Sequence, residues 1–142
     1  MPQVSLHAPI GDITVFEEDG AIVSLDWGWV PQQAPSALLE QARAQLDAYF
    51  DGELTRFDLP LAPAGSAYQK RVWQALRDIP YGETRSYQQI ASSVGGSARS
   101  VGQANGRNPI PLIIPCHRVL AAGGKVGGFS APGGSSGGLH EH

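Results

Sequence analysis

The chain has 142 residues, 42% of them hydrophobic and 16% charged, with a formal net charge of −3. That is enough apolar material for one domain or two small ones; no run approaches a membrane span, and the N-terminus lacks the basic-then-apolar pattern of a signal peptide. The single cysteine excludes an internal disulfide and, with four scattered histidines, argues against structural zinc, so no metal and no cofactor is expected and a reducing cytoplasm is the expected compartment.

The small net charge conceals a division. Residues 1–67 hold two arginines against ten acidic residues, a balance of −8, whereas residues 68–125 hold eight Lys or Arg against Asp78 and Glu83, a balance of +6. A basic half joined to an acidic half points to an anionic partner for the basic one.

In chain order, "ITVFEEDGAIVSLDWGW" places two apolar stretches around Asp19-Gly20, the signature of a hairpin. "SALLEQARAQLDAYFDG" puts Leu38, Leu39, Ala42, Leu46, Tyr49 and Phe50 on one helical stripe, with Ser36 as cap and Gly52 as stop. "PLAPAGS", residues 60–66, reads as a linker, so the expected domains are 1–62 and 63–142. In "YQKRVWQALRDI" Val72, Leu76 and Ile79 recur at helical spacing until "PYGE" ends the run. "SYQQIASSV" follows with Ser86 and Gln89 in capping-box positions, and Gly95-Gly96 breaks it. Residues 97–105 suit another helix, small on the face that carries Ala98 and Gly102; two short helices about a glycine turn suggest a helix-turn-helix, although a plain helical corner fits as well. "IPLII" reads as a buried strand, "AAGGKVGG" as a turn-rich loop, and residues 135–142 as an atypical flexible tail of glycine and serine.

The lone cysteine closes that apolar run. A cysteine so placed is most often a small core residue. Here it lies in Pro115-Cys116-His117-Arg118, beside a base and a fixed positive charge, surroundings that lower a thiol pKa. Pro109, Pro111 and Pro115 make the segment a poor central strand and suit it to the wall of a shaped site.

"NGRNPIPLIIPCHRV" with the later "GGFS", together with "YQKRVWQALRDIPYGETRSYQQIA" and "LDAYFDGELTRFDLPL", resembles the O6-alkylguanine-DNA alkyltransferase family over roughly residues 38 to 134. The resemblance implies an N-terminal α/β domain of ribonuclease-H-like shape and a mainly helical C-terminal domain of winged-helix or helix-turn-helix type. It implies direct-reversal repair, with a monomer binding double-stranded DNA, flipping out an O6-alkylguanine (O4-alkylthymine being a second lesion of this kind) and moving the alkyl group irreversibly to Cys116. In that scheme His117 is the base. On a strand it would face away from Cys116, so it acts through a water relay completed by a glutamate. Asn108 matches the asparagine that braces the turn, and Tyr87 the tyrosine that gives the leaving guanine its proton. Arg99 matches the arginine that fills the gap left by the flipped base, with Ser97, Gln103, Asn105 and Tyr87 as further candidate DNA contacts. Pro111, Val119, Phe129 and Ser130 match positions around the guanine.

The family usually continues after "GGFSAPGG" into an amphipathic helix ending in the relay glutamate, whereas this chain has "SSGGLHEH", where Glu141 is the candidate replacement. Without that helix the Cys116 thiol is expected to titrate nearer the free value. Two other readings stay open. One is a lesion-binding module whose transfer is crippled by the altered tail; the other is a thiol hydrolase, for which the sequence shows no cleft or oxyanion donors.

Overall fold

The computed structural model describes residues 1–120. Contacts divide the chain into two compact units, Met1–Ala64 and a second beginning at Gly65. In the first, strands β1 (Gln3–Ala8), β2 (Gly11–Glu18) and β3 (Ala21–Trp27) form an antiparallel sheet in that order. The β2–β3 hairpin turns at Asp19-Gly20, both at positive φ (52° and 79°), which an aspartate-glycine pair tolerates well. The strand β1 adds a third strand to the expected hairpin; Pro9 and Gly11, the latter at φ 123°, punctuate its turn into β2, with which it pairs from Gln3↔Phe16 to Ala8↔Gly11.

Helix α1 (Ala37–Phe50) packs on β1 and β2. Ser36 caps it by accepting from the Leu39 N–H at 3.1 Å, and Leu39, Ala42 and Leu46 are buried. On the sheet Val4, Leu6, Ile13, Val15, Ile22 and Leu25 are buried as well. Ser5 and Thr14 are buried too, and their hydroxyls bond each other at 2.8 Å and engage Val30 N–H and Gly28 O, so neither polar group is stranded.

The second unit contains α2 (Ala67–Arg77), α3 (Tyr87–Val94) and α4 (Ala98–Gly106), packed on one another. Each starts from a serine in a reciprocal capping box, at Ser66, Ser86 and Ser97. The turn between α3 and α4 uses Gly95 and Gly96 at φ 95° and 80°, values that strain any other residue. Tyr68 on α2 bridges this turn, donating to Gly95 O at 3.0 Å and bonding Ser100 Oγ at 2.9 Å. Trp73, fully buried, donates from its indole N–H to Ala104 O at 2.8 Å and so fixes α2 against α4. A two-residue parallel ladder joins β4 (Arg85–Ser86) to β5 (Val119–Leu120). Among the described residues no helix is long and apolar enough to cross a membrane.

"IPLII" is buried as expected but it is not a strand. Pro111 and Ile114 form one isolated bridge, and Leu112 between them takes φ +74°. Prolines at 109, 111 and 115 remove the amide donors that a ladder requires, so the run folds into a turn.

Candidate active site

Cys116, His117 and Arg118 form a three-residue 3-10 turn leading into β5, and all three are buried. The expectation that Cys116 and His117 face opposite sides of a strand is therefore overturned. Pro115 and the Cys116 N–H→Ile114 O bond of 2.8 Å turn the backbone before an extended geometry can begin.

Asn108 is the brace of this turn. Its side-chain amide donates to Ile114 O at 2.8 Å while its oxygen accepts from Ile110 N–H at 2.9 Å, tying the two ends of the proline-rich segment together. Ile114 N–H adds a bond of 2.9 Å to Ile110 O. The left-handed backbone at Leu112, costly for a branched side chain, is held by this network.

The thiol is 2% exposed, and burial pushes it up to about 11 from its ordinary value of 9.0. Hydrogen bonds from Asn108 and from the backbone at Cys116 and Leu112 favour the thiolate but do not outweigh the loss of solvent. The expectation that neighbouring charge lowers the thiol is thus corrected; the expectation of a weakly activated thiol has the right direction, and burial carries the group beyond the free value. Arg118, the fixed charge counted on, is turned inward: its guanidinium donates to Ile79 O at 3.0 Å and lies 5.5 Å from the centre of the Tyr81 ring. There it serves the end of the α2 segment, where unsatisfied carbonyls favour a cation. It also drops out of the surface charge of the basic half.

Tyr87 opens α3 directly after the β4 strand and is half-buried. Burial raises its pKa, a hydrogen bond with the Asn105 side chain opposes the rise, and the charge of an ionised Cys116 would add to it, so nucleophile and phenol lie within electrostatic reach. Pro111 stands half-buried at the bridge with Ile114, and Val119 is fully buried at the start of β5 opposite Arg85.

On α4, Ser97, Arg99 and Gln103 are exposed, with the Ser97 hydroxyl occupied in capping. Asn105 does not join them. It is 1% exposed, one turn from Gly102 on the inner side of the helix, so its expected contact with DNA is corrected. Helical periodicity gives the reason: residues 99 and 103 share a face, and 105 falls well around the cylinder from it. Phe129, Ser130 and Glu141, with the loop and tail that carry them, lie outside the described residues. No three His, Cys, Asp or Glu side chains among the described residues converge where a metal ion could be held.

Comparisons with known proteins cover both units. The family profile described as "6-O-methylguanine DNA methyltransferase, ribonuclease-like domain" matches residues 4–63, and "6-O-methylguanine DNA methyltransferase, DNA binding domain" matches residues 67–141. A methylated-DNA–protein-cysteine methyltransferase of Mycobacterium leprae is 46% identical over 137 residues, spanning 88% of this chain and 81% of the relative. One from Methanosarcina acetivorans is 46% identical over 135 residues, spanning 88% and 86%. The crystal structure of Mycobacterium tuberculosis OGT in complex with DNA superposes with a TM-score of 0.80 at 43% identity, covering 91% of this chain and 84% of that one.

Proposed function

The chain belongs to the 6-O-methylguanine DNA methyltransferase family, and on that premise we propose that Cys116 is the acceptor in a single-use transfer of an alkyl group from O6-alkylguanine in duplex DNA. The protein is a DNA-repair methyltransferase that acts by direct reversal, and its second unit is the DNA-binding domain. The observation that carries the assignment of the acceptor is the placement of the chain's only thiol in a turn braced by Asn108, within electrostatic reach of Tyr87.

The chemistry follows from that placement. A C–S bond forms at the alkyl carbon as its C–O bond breaks; the thiol proton passes to His117, and the departing guanine takes a proton from Tyr87. The resting thiol is protonated, so the proton must leave as the lesion is seated. Arg99, exposed near the start of α4, fills the stack vacated by the flipped base, with Ser97 and Gln103 beside it on the DNA side. Pro111, Val119, Phe129 and Ser130 border the guanine, and Glu141 is the candidate third member of the relay. The protein works as a monomer in the cytoplasm, without a cofactor, and divides functionally at residues 62–63.

The burial of Cys116, which pushes the thiol up to about 11 and away from an activated nucleophile, favours a second reading, a lesion-binding module with crippled transfer. Mass spectrometry after mixing with a duplex carrying O6-methylguanine decides between the two. Transfer adds one methyl group to the peptide containing Cys116, and Cys116→Ala abolishes the adduct while duplex binding stays within a few-fold. Binding without any adduct on the intact chain would establish the second reading, and removal of the methyl group by Cys116→Ala would refute the first.

A further inference from the structure

We propose that Gly102 and Asn105, consecutive members of the inner face of α4, form the seat that positions Tyr87 for proton transfer, with Asn105 acting through the Tyr87 hydroxyl. The proposal rests on the reading of Tyr87 as proton donor and names the residues that make it one.

Three observations converge on this face. A Cβ at Gly102 would lie 3.0 Å from Tyr87 Cε2, 3.4 Å from Cδ2 and 3.6 Å from Cζ, so the phenol ring lies directly against the bare backbone of α4. Asn105 follows three residues later and is therefore the next side chain along that face. It is 1% exposed, although asparagine is a residue seldom buried without a polar task. Its side chain is within reach of Tyr87 and opposes the rise that burial gives the phenol. In the proposed arrangement the Asn105 amide N–H is the donor, because it is the only group of that side chain that can donate and a donated bond is the kind that stabilises a phenolate.

That polarity matters for the reaction. A donor occupying a lone pair of the Tyr87 oxygen leaves the phenolic O–H as the group that must point elsewhere, toward the departing guanine. When the proton moves, negative charge remains on the Tyr87 oxygen, and the Asn105 N–H is already in place to stabilise it. The proton taken up by His117 balances the one given by Tyr87, so no net proton is gained or lost in the single turnover. Asn105 is thus a positioning residue, touching neither the alkyl group nor the thiol.

The test is single-turnover transfer from an O6-methylguanine duplex over a range of protein concentrations, which separates the saturating rate from the half-saturating concentration. Asn105→Leu, similar in volume but without a donor, is expected to lower the saturating rate about tenfold, as loss of one hydrogen bond to a developing charge would, with half-saturation within about twofold. Made in a Tyr87→Phe background, the same substitution is expected to add no further slowing. Equal slowing in both backgrounds, or none with Tyr87 intact, would overturn the proposal, because packing alone would explain the residue. Should Asn105→Leu lack a cooperative unfolding transition, Asn105→Ala, which also removes the donor, carries the same comparison. Tyr87→Phe transferring at the full rate would refute the donor reading itself and the seat with it, an outcome distinct from the other two.

Discussion

Titration of Cys116 tests the burial argument most directly. With a thiol at about 11, the thiolate at pH 8 is roughly one molecule in a thousand, against roughly one in ten for a thiol at the ordinary value of 9.0. The rate of alkylation by iodoacetamide, followed by mass spectrometry, is therefore expected to rise tenfold per pH unit from pH 7.5 to 10 without levelling. The unfolded chain in denaturant should level near pH 9. As Cys116 is the only thiol in the sequence, no second site blurs the profile. Stability follows with a definite sign. Between about pH 9 and 11 the unfolded chain releases a proton that the folded chain retains, so the buried thiol's contribution is complete below pH 9 and is lost as pH rises through 11. The slope is about 1.4 kcal/mol per pH unit, or about 3 kcal/mol across the window. Cys116→Ala should lack this dependence in urea denaturation. A profile that levels below pH 8.5, or one shared with Cys116→Ala, would refute the reasoning.

Two further outcomes are expected. Trp73→Phe removes the indole donor to Ala104 O and leaves that carbonyl buried, costing about 1–3 kcal/mol in urea unfolding of the helical unit. Arg99→Ala is expected to slow repair of a duplex far more than reaction with the free alkylated base, since the exposed side chain serves extrusion; equal losses in parallel assays of the two substrates would exclude that role.

Much of this was legible before the structure. The stops and caps at Ser36, Ser86 and Gly95-Gly96 are local signals written in residue type, and they appear where the chain uses them. The proline-rich segment was not. Its apolar run has the composition of a strand, but three missing amides and the side chain of Asn108 decide its shape, and a leucine at φ +74° carries no mark in the sequence. The electrostatics of Cys116 were misread for a related reason. Adjacency in sequence places Arg118 next to the thiol, whereas the fold spends that charge on Ile79 O. Asn105 looked like a surface polar residue because it shares a short polar helix with Arg99 and Gln103, although it lies well around the cylinder from their face. Its placement against Tyr87 needed a tertiary contact, for which the only hint was the small face at Ala98 and Gly102.

The ladder between β4 and β5 has a consequence for the newly made chain. Ser86 pairs with Leu120, so Tyr87 and Cys116 are brought together by two short strands that meet only when the second of them has been synthesised. Until residue 120 leaves the ribosome there is no catalytic arrangement, and no burial of the thiol either. A nascent chain therefore passes through an interval in which Cys116 is an ordinary reactive sulfur, open to oxidants and stray electrophiles. Closing the ladder ends that interval. If the proposed acceptor role holds, the sulfur is consumed by a single event, and rapid closure protects the working life of each molecule as it assembles the site.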